Sequence, residues 1–364
     1  MATIMKYKAP NGETRWRVRW RDNDKQKSKT FDRQKLAKDF MVKIENDMRE
    51  GSYVSPSKIR VSEYLMQWID EHQANLAPST AQRYKELIIR ANAKIGGKHL
   101  QRLNPGEIQS MYTALGMELS GTTLLQMHRI LSRSFKDAVR KQLVEKNPCN
   151  YVDAPRKAKF QAKIVPPDEV QEYLTLFKDH YIYPAVCLAL FCGLRRSEIL
   201  ALRWSDIDLK EGMVHVNHSI YWDKEGYHLQ PPKSKQKRTV PITQGMIAIL
   251  RTQRRLQKER LAMLWHKYDR SEFVVTYDNG NLLRPHSLSE RYKEIISKTK
   301  YAGIRFHDLR HTAASLMLLE GEDLKTVSEL LGHSSIKITA DIYTHIVKDQ
   351  KRKAVSRLDK YMLK

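Results

Sequence analysis

The spacing of apolar residues changes period along this chain, and each change marks an element. Over Thr14 to Arg21, Trp16, Val18 and Trp20 alternate with Arg15, Arg17, Arg19 and Arg21. Period-two alternation belongs to a strand, here with apolar side chains on one face and guanidinium groups on the other. Asp22-Asn23-Asp24 supplies a turn, after which Lys25, Lys27 and Lys29 repeat the device. The period then lengthens. From about Arg33 onward Leu36, Phe40, Ile44 and Met48 stand four apart, and Gly51 is placed to end that helix. Ser52 to Ile59, with Pro56 and its serines, reads as a linker.

Residues 60–155 read as wholly helical. Val61, Tyr64, Leu65, Trp68 and Ile69 form one apolar stripe. Ser79 is the expected cap of a second helix, with Gln82 three residues on. Asn104-Pro105-Gly106-Glu107 opens a third helix, which Ile108, Met111, Tyr112 and Leu115 continue, and Leu124 to Val139 carries a fourth. These stripes are core and carry no chemistry. Asn147-Pro148 and the basic run containing Arg156, Lys157 and Lys159 mark a second hinge, basic enough to cross a phosphate backbone. From 165 to 364 the pattern is mixed and mostly helical. Short strands are expected at 213–217, around 238–242 and at 272–276, with a hairpin turn from Asp223 to Gly226. No motif places 243–300. The expected fold class is α+β and multidomain. A small three-stranded sheet with a helix spans 1–55, an all-α domain spans 60–155, and a mainly helical domain with a small antiparallel sheet spans 165–364.

Charge adds a partner to this picture. The chain carries 65 basic against 41 acidic side chains, a net charge of +24. Such an excess suits a polyanion, and nucleic acid is the commonest one. The excess is spread: 16 basic against 8 acidic groups in residues 1–60, and 15 against 9 in residues 61–160. A long footprint on a duplex, with steep salt dependence, is therefore expected. The arginine-striped strand is either an ordinary solvated face or a sheet that lies in a DNA groove; four consecutive outward arginines favour the second. Arg15, Arg17, Arg19, Arg21, Lys25, Lys27 and Lys29, with Arg156, Lys157 and Lys159, are the expected DNA contacts. No apolar run approaches a membrane span and no amino-terminal signal pattern is present, so a cytosolic protein is expected. With only Cys149, Cys187 and Cys192, disulfides and a structural zinc site are not expected.

The carboxyl-terminal third holds the candidate chemistry. Gly193-Leu194-Arg195-Arg196-Ser197-Glu198, His307-Asp308-Leu309-Arg310-His311, Leu331-Gly332-His333 and Tyr343 occur in that order. Attack on a phosphodiester by a tyrosine needs fixed donors for the non-bridging oxygens, a route for the phenol proton, and a proton for the departing oxygen. Arginine meets two oxygens at once and stays charged, while histidine and lysine suit the proton transfers. No cluster of carboxylates accompanies these motifs, so side chains must carry the electrostatics.

Taken together, these motifs resemble the tyrosine recombinases, the lambda-integrase family. The resemblance implies that Tyr343 is the nucleophile forming a 3′-phosphotyrosyl link. It implies that Arg195 and Arg310 clamp the scissile phosphate, and that His307 and His333 donate to it. Glu198, one turn beyond Arg195, orients that arginine in this reading. The family's general acid is a hairpin lysine eight residues before a Val-Pro; counting back from Pro241 lands on Lys233, with Lys235 and Lys237 nearby. Residues 60–155 resemble the core-binding domain, and 1–55 the arm-binding domain of phage and conjugative-transposon integrases. The implied function is site-specific integration and excision of a prophage or mobile element by a homotetramer. Its DNA partners are double-stranded core-type and arm-type sites, and a directionality factor or DNA-bending host protein is an accessory partner. No metal, nucleotide or other cofactor is implied. Alternatives are a chromosome-dimer-resolving recombinase and, in a different class, a DNA-binding regulator that has lost catalysis.

Overall fold

The computed structural model describes residues 2–22, 25–157, 163–223, 225–232, 237–267, 269, 272–332, 335–336 and 340. It divides into two compact units, Met1–Lys159 and Phe160–Lys364.

The first unit opens with an antiparallel sheet ordered β1-β2-β3, made of β1 (Thr3–Lys8), β2 (Thr14–Asp22) and β3 (Lys25–Phe31). Helix α1 (Gln34–Arg49) packs across one face. Strand β1 has Ile4 and Lys6 on one side and Met5 and Tyr7 on the other, so it lacks the clean alternation that betrays β2. Val18 and Trp20 are buried, and Phe40 of α1 meets the Trp20 ring edge-on at 5.6 Å. The helix buries Ala37 and Ile44, whereas Leu36 is 47% exposed. Strict four-residue spacing drifts around the helix axis, which carries Leu36 off the buried line.

Register decides which face of this sheet each basic residue takes. Val18 pairs with Lys29, Trp20 with Lys27 and Asp22 with Lys25, whereas Arg17 and Arg19 pair with Thr30 and Ser28. Directly opposed residues share a face, so the lysines lie on the helix-covered side and do not extend the arginine stripe. Lys29 sits 4.6 Å from the centre of the Phe40 ring, and Lys27 bridges Asp22 at 2.7 Å and also donates to Ser55 Oγ. The alternation was visible in the sequence. The pairing of even with odd positions was not.

Four helices follow: α2 (Val61–His72), α3 (Pro78–Ile95), α4 (Pro105–Leu115) and α5 (Gly121–Arg140). The stripe Val61, Tyr64, Leu65, Trp68 and Ile69 is buried against Leu87, Ile88, Leu131 and Phe135. Asn104 caps α4 reciprocally with Glu107, at 3.0 and 3.2 Å. Helix α3 is different. Its cap is Ala77 and Pro78 is its first residue, so proline geometry rather than the Ser79 hydroxyl starts it. The 51–57 segment is tied down, because Gln101 Nε2 donates to the Ser55 carbonyl and Gln142 Nε2 to the Gly51 carbonyl, each at 2.8 Å.

The second unit contains α6 (Val170–Thr175), α7 (Tyr183–Phe191) and α8 (Arg196–Ala201). A sheet ordered β4-β5-β8 combines β4 (Ile207–Asp208), β5 (Met213–Val216) and β8 (Arg238–Pro241). Between β5 and β8 runs the hairpin of β6 (Ser219–Trp222) and β7 (Tyr227–Gln230). Then come α9 (Gln244–Leu264), α10 (Pro285–Ile296), α11 (Asp308–Leu319) and α12 (Leu324–Leu331). Helix α7 is buried from Pro184 to Leu190 and is the centre of this unit. The strand expected at 272–276 is instead a pair of isolated bridges, Arg203–Phe273 and Thr276–Leu282, on either side of a bend at Val274 and Val275. That bend interrupts any ladder. Among the described residues no helix is long and apolar enough to cross a membrane.

Candidate active site

Three buried elements deliver the candidate residues. Helix α7 stops at Cys192, and Gly193 turns the chain with φ +60°. A side chain at Gly193 would be strained by that φ, and its Cβ would lie 2.3 Å from Leu331 Cδ2, so glycine is what lets α12 approach here. Two residues later Arg195 caps α8: its N–H and its Nη1 donate to Glu198, at 2.9 and 2.8 Å. Helix α11 packs on α7 and α12, and its third residue, Arg310, is only 2% exposed.

The carboxyl end of α12 gathers these groups. Gly332 ends the helix in the left-handed conformation at φ +65°, which leaves the last carbonyls without intrahelical partners. Arginines meet them in order. Arg238 Nε donates to the Leu330 carbonyl at 2.9 Å, Arg310 Nη2 to the Leu331 carbonyl, and Arg195 Nη2 to the Gly332 carbonyl at 2.7 Å. Arg310 Nη1 also donates to the Gly193 carbonyl. Cations at a helix carboxyl end suit its negative dipole. The two proposed clamp residues are thus anchored on consecutive carbonyls, from helices more than a hundred residues apart in sequence.

Electrostatics follow from this packing. Glu198 is 2% exposed. Burial alone would raise its carboxyl, but hydrogen bonds and charge from Arg238, then Arg195, bring it down to about 2. It stays ionised and fixes both forks. His307 precedes α11 and part of it is open to solvent. Desolvation by the packing around it, His311 with its ring 5.5 Å away, and the Arg310 guanidinium push it down to about 4. At neutral pH it is therefore an uncharged imidazole that donates one N–H. Arg195 and His307 share the wall of a cleft of about 700 Å³ with Arg196, Lys293 and Arg305.

Of the residues singled out in the sequence, Arg195, Glu198, Arg310 and His307 are brought together in the second unit. Lys233, His333 and Tyr343 lie outside the described residues, as does Lys159. In the first unit Arg15, Arg17 and Arg19 share one face of the sheet with Tyr7, over which Arg17 stacks at 4.5 Å. Arg21 is exposed on the same face, and Arg156 and Lys157 are exposed near the end of that unit. Sequence reasoning missed Arg238. Its signal was slight: an arginine at the start of an alternating strand, five residues after Lys233.

Comparison with known proteins agrees with this geometry. Residues 163–350 match the phage integrase family. A tyrosine recombinase XerC-like protein of Caldanaerobacter subterraneus subsp. tengcongensis is 30% identical over 337 residues, covering 86% of each chain. The ICEBs1 integrase of Bacillus subtilis is 28% identical over 244 residues, 66% of each chain. In fold, the Tn1549 transposon integrase in complex with transposon right-end DNA superposes with a TM-score of 0.71 at 20% identity, over 82% of this chain and 99% of that one. With the arginine boxes in their expected order and two of their arginines anchored on one helix end, the chain belongs to the phage integrase family: it is a tyrosine recombinase, an enzyme that breaks and rejoins DNA.

Proposed function

We propose that this chain integrates and excises a prophage or conjugative element by site-specific strand exchange, working on DNA in the bacterial cytoplasm. Tyr343 attacks the scissile phosphorus, a 3′-phosphotyrosyl bond forms, and the 5′-oxygen leaves. Arg195 and Arg310 hold the non-bridging oxygens, His307 and His333 donate to them, and Lys233 gives the leaving oxygen its proton. The 5′-hydroxyl of the partner strand then displaces the tyrosine, so the energy of the broken bond is kept and no nucleotide is consumed. Two duplexes exchange two strands each, which calls for four active sites and hence a homotetramer. A directionality factor or a DNA-bending host protein would bias the direction.

The observation that carries this reading is the joint anchoring of Arg195 and Arg310 on the end of α12. That end is the peptide leading directly into His333. A nicked duplex carrying the crossover sequence tests it, because cleavage releases a short fragment that cannot religate. A covalent protein–DNA adduct surviving denaturation is the expected product. A chain that binds this duplex and never traps it would be the regulator of the alternative reading.

Two further outcomes are expected. Replacing Lys233 should slow cleavage of an ordinary phosphate by about 10²–10⁴-fold, the range of general acid catalysis. A 5′-thiol leaving group needs little protonation, so the defect should nearly vanish on that substrate; equal slowing on both would remove Lys233 as the acid. Second, replacing Arg15, Arg17 and Arg19 together should weaken binding to outlying arm-type sites by at least about tenfold, from lost phosphate contacts, and spare core-site cleavage. Equal losses on both would argue against a separate arm-binding face. A preserved arm-type specificity also favours an integrase over a chromosome-dimer resolvase, which shares the chemistry.

A further inference from the structure

Three consecutive carbonyls at the end of α12 accept from three different arginines. Two of these, Arg195 and Arg310, form the proposed phosphate clamp. The third has no role in it. We propose that Arg238 is a positioning residue for strand cleavage, holding Glu198 and the end of α12 so that Arg195 and the peptide entering His333 keep one geometry. This inference rests on the recombinase reading above.

All three nitrogens of the Arg238 guanidinium are engaged inside the protein. Nη2 and Nη1 reach the two Glu198 oxygens at 2.7 and 3.1 Å, and Nε donates to the Leu330 carbonyl at 2.9 Å. Its side chain is 10% exposed. A fork spent in this way is oriented for holding protein parts rather than for meeting DNA. The lever arm is short, because Glu198 Oε1 accepts from Arg238 and from Arg195 Nη1 alike. Gly332 makes the room: a Cβ there would lie 3.0 Å from Arg238 Nη1. Arg238 also stands on β8, five residues after Lys233 in the chain, so the strand that follows the proposed proton donor also braces the clamp.

Without Arg238, the buried carboxylate keeps Arg195 as its one cationic neighbour among the described residues. Both oxygens then compete for the Arg195 fork, and the Leu330 carbonyl loses its donor. Misplacing a phosphate-clamping group by about 1 Å lowers a rate by roughly 10²-fold. Glu198 should also become easier to protonate, since burial raises its pKa and Arg238 is the stronger of its two partners. Arg195 would then keep its bond to the Gly332 carbonyl but lose its ionic anchor as pH falls through that new value.

The test uses the full chain with Arg238→Lys and Arg238→Gln, the nicked duplex, thermal melting and duplex affinity. Cleavage by R238Q should fall about 10²-fold with affinity within about twofold of the parent. Its rate–pH profile should gain an acid limb that the parent lacks. R238K keeps the charge, but its single nitrogen cannot reproduce the spread, planar fork that spans the three acceptors, so it should fall between the two. A folded R238K protein that cleaves at the parental rate overturns the inference. So does a loss of cleavage that only follows lost affinity, or an R238Q profile parallel to the parent's. If R238Q does not fold, R238K decides alone. A parent chain that forms no adduct would instead overturn the recombinase reading, and this inference with it.

Discussion

A Tyr343→Phe protein should bind duplex DNA with nearly parental affinity and form no covalent adduct. The change removes one oxygen, the atom proposed to bond to phosphorus, and keeps the ring. Removing a nucleophile lowers a rate by on the order of 10⁴-fold or more, because the covalent step has no substitute for the lost oxygen. Affinity should hold because it comes from elsewhere. The net charge of +24 is spread along the chain, and a phenol contributes nothing to counterion release. Denaturing electrophoresis of the trapped complex and a mobility shift of the same sample read both quantities. Lost binding would make Tyr343 a structural residue, and a surviving adduct would put the nucleophile elsewhere.

The second large effect is expected at Arg310. This side chain is 2% exposed and joins the Gly193 carbonyl to the Leu331 carbonyl. Arg310→Ala should therefore act twice. Loss of the proposed donor to the developing phosphate charge should slow cleavage by about 10²–10³-fold. Two buried carbonyls are also left without a donor, which should destabilise the second unit by on the order of 3 kcal/mol. Melting should drop by roughly 10 °C for a unit of this size. Arg310→Lys separates the two effects: it keeps the charge and some stability, but one nitrogen cannot span two separated carbonyls and present a planar fork to a phosphate. Its melting should recover further than its cleavage. Parental cleavage by the lysine variant would show that charge alone suffices and that the fork geometry is irrelevant.

Much of the fold could be read from pattern because it depends on local rules. The stripe from Val61 to Ile69 and the Asn104 cap appear where spacing and side-chain chemistry place them. So does the hairpin turn between β6 and β7. Misreadings came where a second element decides. The line Leu36, Phe40, Ile44 and Met48 is helical, yet packing against the sheet selects Ala37 and leaves Leu36 exposed. The 272–276 segment has strand-like residues, but the fold bends it at Val274 and Val275 between two isolated bridges.

The candidate site divides in the same way. By itself the sequence determined residue types and order: paired arginine boxes, a histidine before the second, and a tyrosine beyond a Gly-His. It also determined the alternation that strings arginines along β2, since side-chain period is a property of the single strand. Only the tertiary structure decided that Lys27 and Lys29 take the opposite face of the sheet from those arginines, because register belongs to a pair of strands. It alone decided that Arg238 belongs with Glu198. That contact spans 40 residues. Three unsatisfied carbonyls at a helix end create a demand for donors that no local spacing records, and the fold meets it with arginines from three distant segments.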